Sequence, residues 1–269
     1  MTRLDIPLPP VSDVIGWRTR EWLITNGLGG YASGSLAGVC TRRYHGMFVP
    51  NLPRPRGRHV LVSRFDEEID IAGQTVRLGG SDRVDNALAP CNGTWLRDFH
   101  LDGNTACWTF ACADLVLERR LVIPHLRNTA CLRYELKSDT PARIRLRPWL
   151  PFRRQDAPLQ HAGYGRFEVA VPEDGECRVG LADSELWLAM RLHSPGARFI
   201  TEAEEEMDSF LWREDARGYD SHEVIASPGC WEWHAEPHAP CILVMTTDES
   251  HPQTDVERIA SGREQVTRV

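Results

Sequence analysis

Apolar and charged side chains alternate with a period of two along much of the chain. Arg143-Ile144-Arg145-Leu146-Arg147 is the clearest case and predicts a half-buried strand. Glu68-Ile69-Asp70-Ile71 and Thr75-Val76-Arg77-Leu78 flank Ala72-Gly73-Gln74, which predicts a hairpin around a glycine turn. Similar runs occupy 59–65, 114–123, 129–137, 165–171, 185–193 and 240–247. Asn92-Gly93, Asp102-Gly103, Ser138-Asp139-Thr140-Pro141 and Glu173-Asp174-Gly175 supply turn signals between several of them. Many short strands with regular turns predict a mainly β protein, a sandwich or a barrel. Helix is expected only in short connections and in the tail, where Thr254-x-x-Glu257 resembles a capping box.

The chain has 269 residues with 42% hydrophobic content, enough to bury a core without a disulfide or a metal. A net charge of −7 provides no basic field for nucleic acid. The eight cysteines include no C-x-x-C pair, so buried thiols in a reducing cytoplasm are expected. The N-terminal MTRLDIPLPP lacks the apolar core of a secretory signal. Neither a metal nor a cofactor is called for by any motif.

The stretch TNGLGGYASGS, residues 25–35, fits the dinucleotide pattern G-x-G-x-x-G/A at Gly27 to Ala32. That reading needs a helix after the glycines and an acid about 20 residues on. The following YASGSLAG is poor helix material, and no Asp or Glu lies between Trp22 and Phe65. Gly30, Gly34 and Gly38 form G-x-x-x-G repeats in an uncharged run from Leu23 to Thr41. Five glycines with Ser, Thr and Asn make that run too polar to span a membrane.

Other clusters read as structure. His234 and His238 flank Pro237, which argues against a helix presenting both to one metal, and predicts a polar loop. Glu202-Ala203-Glu204-Glu205-Glu206 predicts a solvated acidic face. Nine tryptophans suit either a sandwich core or sugar stacking; Trp231 and Trp233 share one side of any strand they occupy. The most informative segment is Thr41-Arg42-Arg43-Tyr44-His45-Gly46. Six arginines (42, 43, 54, 56, 58 and 64) and no acid lie between Trp22 and Phe65. This basic island either pairs with acids elsewhere, such as Asp98 or Asp220, or presents a donor-rich surface to a hydroxylated or anionic partner.

EWLITNGLGGYASGSLAGVCTRRYHGMFV (21–49) resembles the opening signature of bacterial and archaeal glycogen debranching enzymes of the amylo-α-1,6-glucosidase type. Weaker blocks continue the likeness at 60–67, 98–102, 117–120, 146–150, 217–220 and 227–229, in colinear order. The resemblance implies an N-terminal domain over 1–247, a large antiparallel β-sandwich of the supersandwich type. A linker would begin at 248–269 and lead to a helical (α/α)6-barrel that carries the catalytic carboxylates. It also implies an accessory role in hydrolysis of α-1,6 branch linkages, with that catalytic domain and α-glucan as partners. Asn26, Tyr31, Arg42, Arg43, Tyr44 and His45 are the candidate substrate-binding or domain-interface residues; no catalytic residue is assigned. A free-standing carbohydrate-binding sandwich is the alternative. A small self-sufficient hydrolase would need two acids such as Glu214, Asp215 or Asp220, which sit in a run that reads equally as an acidic turn.

Overall fold

The computed structural model describes residues 3–79, 95–159, 167–172, 175–182, 184–248 and Val256. Among them are twenty strands and two short helices. The first ten strands are β1 (Arg3–Asp5), β2 (Glu21–Thr25), β3 (Tyr31–Ser35), β4 (Gly46–Val49), β5 (Asn51–Leu52), β6 (Gly57–Val60), β7 (Arg64–Ile71), β8 (Gln74–Leu78), β9 (Leu96–Asp102) and β10 (Thr105–Cys112). The rest are β11 (Leu115–Val122), β12 (Thr129–Leu136), β13 (Ala142–Trp149), β14 (Arg153–Arg154), β15 (Phe167–Ala170), β16 (Cys177–Leu181), β17 (Trp187–His193), β18 (Arg198–Phe210), β19 (His222–Ala235) and β20 (Pro240–Thr246). The helices are α1 (Val14–Thr19) and α2 (Trp212–Asp215).

Two large antiparallel sheets form a sandwich. One has nine strands in the order β1-β9-β10-β11-β12-β20-β17-β16-β15, the other five in the order β18-β19-β13-β7-β8. Two three-stranded sheets, β2-β3-β4 and β14-β6-β5, complete the fold. Side-chain alternation decides what each large sheet buries. Ile144 lies opposite Ile69 on one neighbour and Trp233 on the other, all of them in the core. On the nine-stranded sheet Leu132 faces Leu121 and Leu243, again within the core. The expected hairpin is present as β7 and β8, with Ala72-Gly73 at its tip.

One expectation is met and one needs correction. The acidic run 202–206 lies in the thirteen-residue β18, with Ala203, Glu205 and Glu206 exposed, which is the solvated face its charge predicts. Glu202 pairs with Arg145 and Arg147 on the outer side of the five-stranded sheet, which neutralises charge that would otherwise oppose strand formation. His234 lies within β19, which ends at Ala235, instead of in a loop; the turn begins only after that. The turn at Asn92-Gly93 and the opening of the tail helix at Thr254 lie outside the described residues. The turn at 173–175 is described only at Gly175, and Val256, which is helical, packs on Cys131, Ile242 and Val244.

A charged group crosses the otherwise apolar core. Glu67 of β7 accepts from Arg119 of β11 and from the Tyr134 hydroxyl of β12, each at 2.7 Å. The Arg119 guanidinium lies over the Trp108 ring, 4.4 Å from its centroid. Glu67 is 1% exposed and Arg119 5%, so neither charge can fall back on water. Removing one partner strands the other, which costs about 3–5 kcal/mol. Glu67→Gln is therefore expected to lower unfolding free energy by about that amount in urea titrations. The double variant Glu67→Met with Arg119→Met should recover much of the loss, because no unpaired charge then remains in the core.

Candidate functional site

The candidate residues gather around the outer face of the β2-β3-β4 sheet. Alternation turns Trp22 and Ile24 into the core and leaves Glu21, Leu23 and Thr25 outward. Across the ladder these outward residues face Ser35, Ser33 and Tyr31. The turn from Thr41 to His45 folds over that face. It is closed by His45 N–H donating to the Arg42 carbonyl at 3.1 Å. The Tyr31 hydroxyl donates to the Tyr44 carbonyl at 2.8 Å and lies 3.0 Å from the Gln155 amide. Burial pushes the Tyr31 phenol up to about 12, so it stays a protonated donor.

The glycine-rich segment is a loop wrapped around Asn26. The Asn26 side-chain oxygen accepts from the N–H groups of Leu28 and Gly30, both at 2.9 Å. Its amide donates to the Arg127 carbonyl at 2.8 Å. A Cβ on Gly30 would sit 2.6 Å from the Asn26 amide nitrogen, and one on Gly27 2.5 Å from the His125 ring. Gly27 also has φ +78, which disfavours any side chain. Asn26 is 1% exposed and organises the loop from within; it is not at the accessible edge.

Arg42 and Arg43 are both paired inside the domain. The acids are Glu21 and Glu214, not Asp98 or Asp220. Arg42 donates to Glu21 at 2.7 Å. Glu214, 2% exposed, accepts from the Arg43 backbone N–H at 3.2 Å and lies 3.5 Å from its guanidinium. Asp98 belongs to β9, where it meets His100 at 2.7 Å, and Asp220 sits in the exposed stretch after α2. A second buried pair supports the turn from below. Arg153 binds Glu223 through both carboxylate oxygens and donates to the Arg43 carbonyl at 2.8 Å.

His45 is 4% exposed, and its Nδ1 accepts from the Thr41 N–H at 3.1 Å. Burial pulls its pKa down to about 4, against a smaller opposing pull from Glu21. The ring is neutral near pH 7 and acts as a fixed acceptor. Tyr44 alone of the six turns its side chain well out, at 43% exposure. Leu23, opposite Ser33 on the outer face of β2, is 55% exposed as well. The turn offers a rigid aromatic and aliphatic rim, with its charges already neutralised.

Sequence reasoning missed Glu21, Arg153, Glu214 and Glu223 as members of this cluster. Arg43 and Glu214 are 171 positions apart, and no local spacing joins them. Glu214 is committed to Arg43, while Asp215 accepts from Ser221 at 3.3 Å. Asp5, Asp98 and His100 bring ligand atoms within 4.8 Å of one another, the sole such group among the described residues. Arg3 already meets both carboxylates, at 2.6 and 3.4 Å, so a cation would have to displace a guanidinium. His234 and His238 form no metal group: His238 lies in the turn and faces Asp139 at 3.4 Å.

The fold is a large antiparallel β-sandwich with a small sheet that presents a pinned, aromatic-tipped turn. Its sequence matches the family model described as glycogen debranching enzyme N terminal over residues 20–242, and the chain belongs to that family. Among solved structures, a protein assigned as a kojibiose phosphorylase from the human microbiome aligns at TM-score 0.42 and 10% identity. The alignment covers 97% of this chain and 34% of that one. A bacterial glucoamylase complexed with acarbose aligns at TM-score 0.41 and 5% identity, over 98% of this chain and 36% of the other. The chain thus spans about a third of the length of these structures. No curated protein matches it significantly. No described helix is long and apolar enough to cross a membrane.

The His45 environment makes a pH-dependent contribution to stability. The unfolded imidazole takes up a proton near its ordinary 6.5, whereas the folded one resists until about 4. Between those values the unfolded state binds more protons, so stability falls as pH drops from 6.5 toward 4. The loss is on the order of 3 kcal/mol. His45→Asn keeps an acceptor for the Thr41 N–H and removes the titration. Its unfolding free energy is expected to be flatter across that window in urea titrations at stepped pH.

Proposed function

We propose that this chain is the accessory N-terminal domain of a glycogen or α-glucan debranching enzyme. It supports a catalytic domain that follows it and contributes the 41–45 turn to the substrate entrance. In this reading the sandwich ends near Thr247 and the linker begins at Asp248. The supporting observation is the turn itself: Glu21, Glu214 and Arg153 lock its backbone and guanidinium groups, yet the Tyr44 side chain stays open. A locked turn with an exposed ring loses little entropy when it meets a sugar or a partner surface.

Tyr44→Ala in the full-length protein tests this reading. Loss of kcat/KM on a branched dextrin is expected to correspond to about 1–3 kcal/mol, with the melting temperature nearly unchanged. Normal kinetics in that variant would remove Tyr44 from the substrate entrance. Arg43→Ala should behave differently, lowering the melting temperature because Glu214 is left buried without its cation.

The 269-residue chain by itself is expected to release no glucose from branched dextrin. Five glutamates are buried among the described residues: Glu67, Glu176, Glu214, Glu223 and Glu232. Each is already paired with arginine, so none of these side chains is placed as one of the two carboxyl groups that glycoside hydrolysis sets across a scissile bond. Glucose release that disappears on mutating Asp215 or Asp220 would overturn this expectation.

A further inference from the structure

We propose that the outer face of the five-stranded sheet holds a second ligand site, a groove that takes a short uncharged saccharide. The proposal rests on the glucan reading above only for the identity of the sugar. The groove has a volume of about 550 Å³, inside the range of about 300–1,000 Å³ typical of small-ligand sites. Its lining shares no residue with the 41–45 turn and belongs to a different sheet.

Its walls follow from strand register. Arg147 of β13 faces Asp66 of β7, and Arg145 faces Glu68, on the side of the sheet opposite the core. Glu205 of β18 lies 3.2 Å from Arg147. The side chains on this face are four arginines (64, 77, 145 and 147) and three carboxylates (Asp66, Glu68 and Glu205), with Glu202 paired to Arg145 and Arg147 beside them, so the charges balance and favour neither an anion nor a cation. A hydroxyl can accept from a guanidinium and donate to a carboxylate at once, and interleaved Arg and Asp/Glu walls suit a ligand dense in hydroxyls.

Among the described residues, the hydrogen-bonding capacity of these walls is not used up. Arg64 is 6% exposed; its contacts to Asp66 at 3.4 Å and to the Met207 sulfur at 3.3 Å leave its Nε without a partner. Asp66 Oδ1 and Arg145 Nε are likewise buried without a hydrogen-bond partner among the described residues. Such atoms are uncommon in native proteins, and here they converge on one groove. An aromatic component is present too. Trp149 donates to Asp66 at 2.7 Å beneath Arg64, and half-buried Trp95 lines the same space. Trp149 is capped by Arg64, so the partly exposed Trp95, with donors beside it, is the ring that can meet the apolar face of a pyranose.

The test is calorimetric titration of the 269-residue chain with maltotriose, cellotriose and a sulfated disaccharide. Thr75→Trp, from an exposed position on β8, fills the groove without entering the core. Arg147→Gln removes a wall charge, Tyr44→Ala reports on the other site, and Leu4→Ala, at an exposed position on β1 outside both, is the control. Neutral-saccharide affinity is expected to fall about tenfold or more with Thr75→Trp and Arg147→Gln, and to hold with Leu4→Ala. If Arg147→Gln alters the circular dichroism spectrum, Thr75→Trp alone decides. Binding of cellotriose in preference to maltotriose, still lost in Thr75→Trp, would keep the groove and remove the α-glucan reading. Binding that survives both groove variants but is lost in Tyr44→Ala would refute the groove and leave the glucan reading standing. Absence of neutral-saccharide binding, or tighter binding of the sulfated disaccharide, would overturn the proposal.

Discussion

Glu67 joins the two large sheets through the dry interior. A carboxylate there is tolerated only because Arg119 and Tyr134, from two neighbouring strands of the opposite sheet, meet it at hydrogen-bond distance. Trp108, Arg119, Tyr134 and Cys241 form one cross-strand row on the inner face of the nine-stranded sheet. The link fixes where that row meets β7. A one-residue slip of β7 would turn Glu67 outward and drive Asp66 and Glu68 into the core. The same slip would dismantle the outer-face alternation of acids and arginines, so register, core and groove stand together.

Arginine carries most of the charge pairing throughout. Lys137 is the single lysine in the chain, so thirty of its 31 cationic residues are arginine. A guanidinium binds carboxylates through a planar fork and is more weakly hydrated than an ammonium, which suits buried pairs. Arg153 with Glu223 shows the consequence: both carboxylate oxygens are engaged and a further N–H remains for the Arg43 carbonyl. The net charge of −7 conceals this local neutrality. A basic island in the sequence becomes, in space, arginines distributed to separate acids, with Arg56 reaching Glu185 at 2.6 Å and Arg58 the Gly29 carbonyl at 2.6 Å.

The two surfaces discussed differ in how they are built. The 41–45 turn is stiff and electrostatically quiet, and it presents Tyr44 and Leu23 as contact groups. The groove is polar and charge-balanced, with capacity left over for hydrogen bonds. Contact with a partner domain suits the first kind of surface, and recognition of hydroxyls suits the second. Membership of the debranching-enzyme N-terminal family gives both a setting without deciding what occupies either.

Periodicity sufficed for the strands whose apolar residues alternate cleanly. The hairpin around Ala72-Gly73, the strand over Arg143 to Arg147 and the runs that became β11, β12, β17 and β20 were legible because one face of each is buried. It failed for β18, where glutamates occupy outward positions and their arginine partners lie about 55 residues away in sequence. The Arg42-to-His45 segment stood out in the sequence, as did the glycine loop beside it. What each side chain does there was decided only by the fold. Asn26 and His45 became buried acceptors, Arg42 and Arg43 found Glu21 and Glu214, and Tyr44 alone kept its ring in solvent. The physical reason is range: alternation is set by neighbours two residues apart, whereas a buried charge is settled by whichever opposite charge the topology brings within about 4 Å.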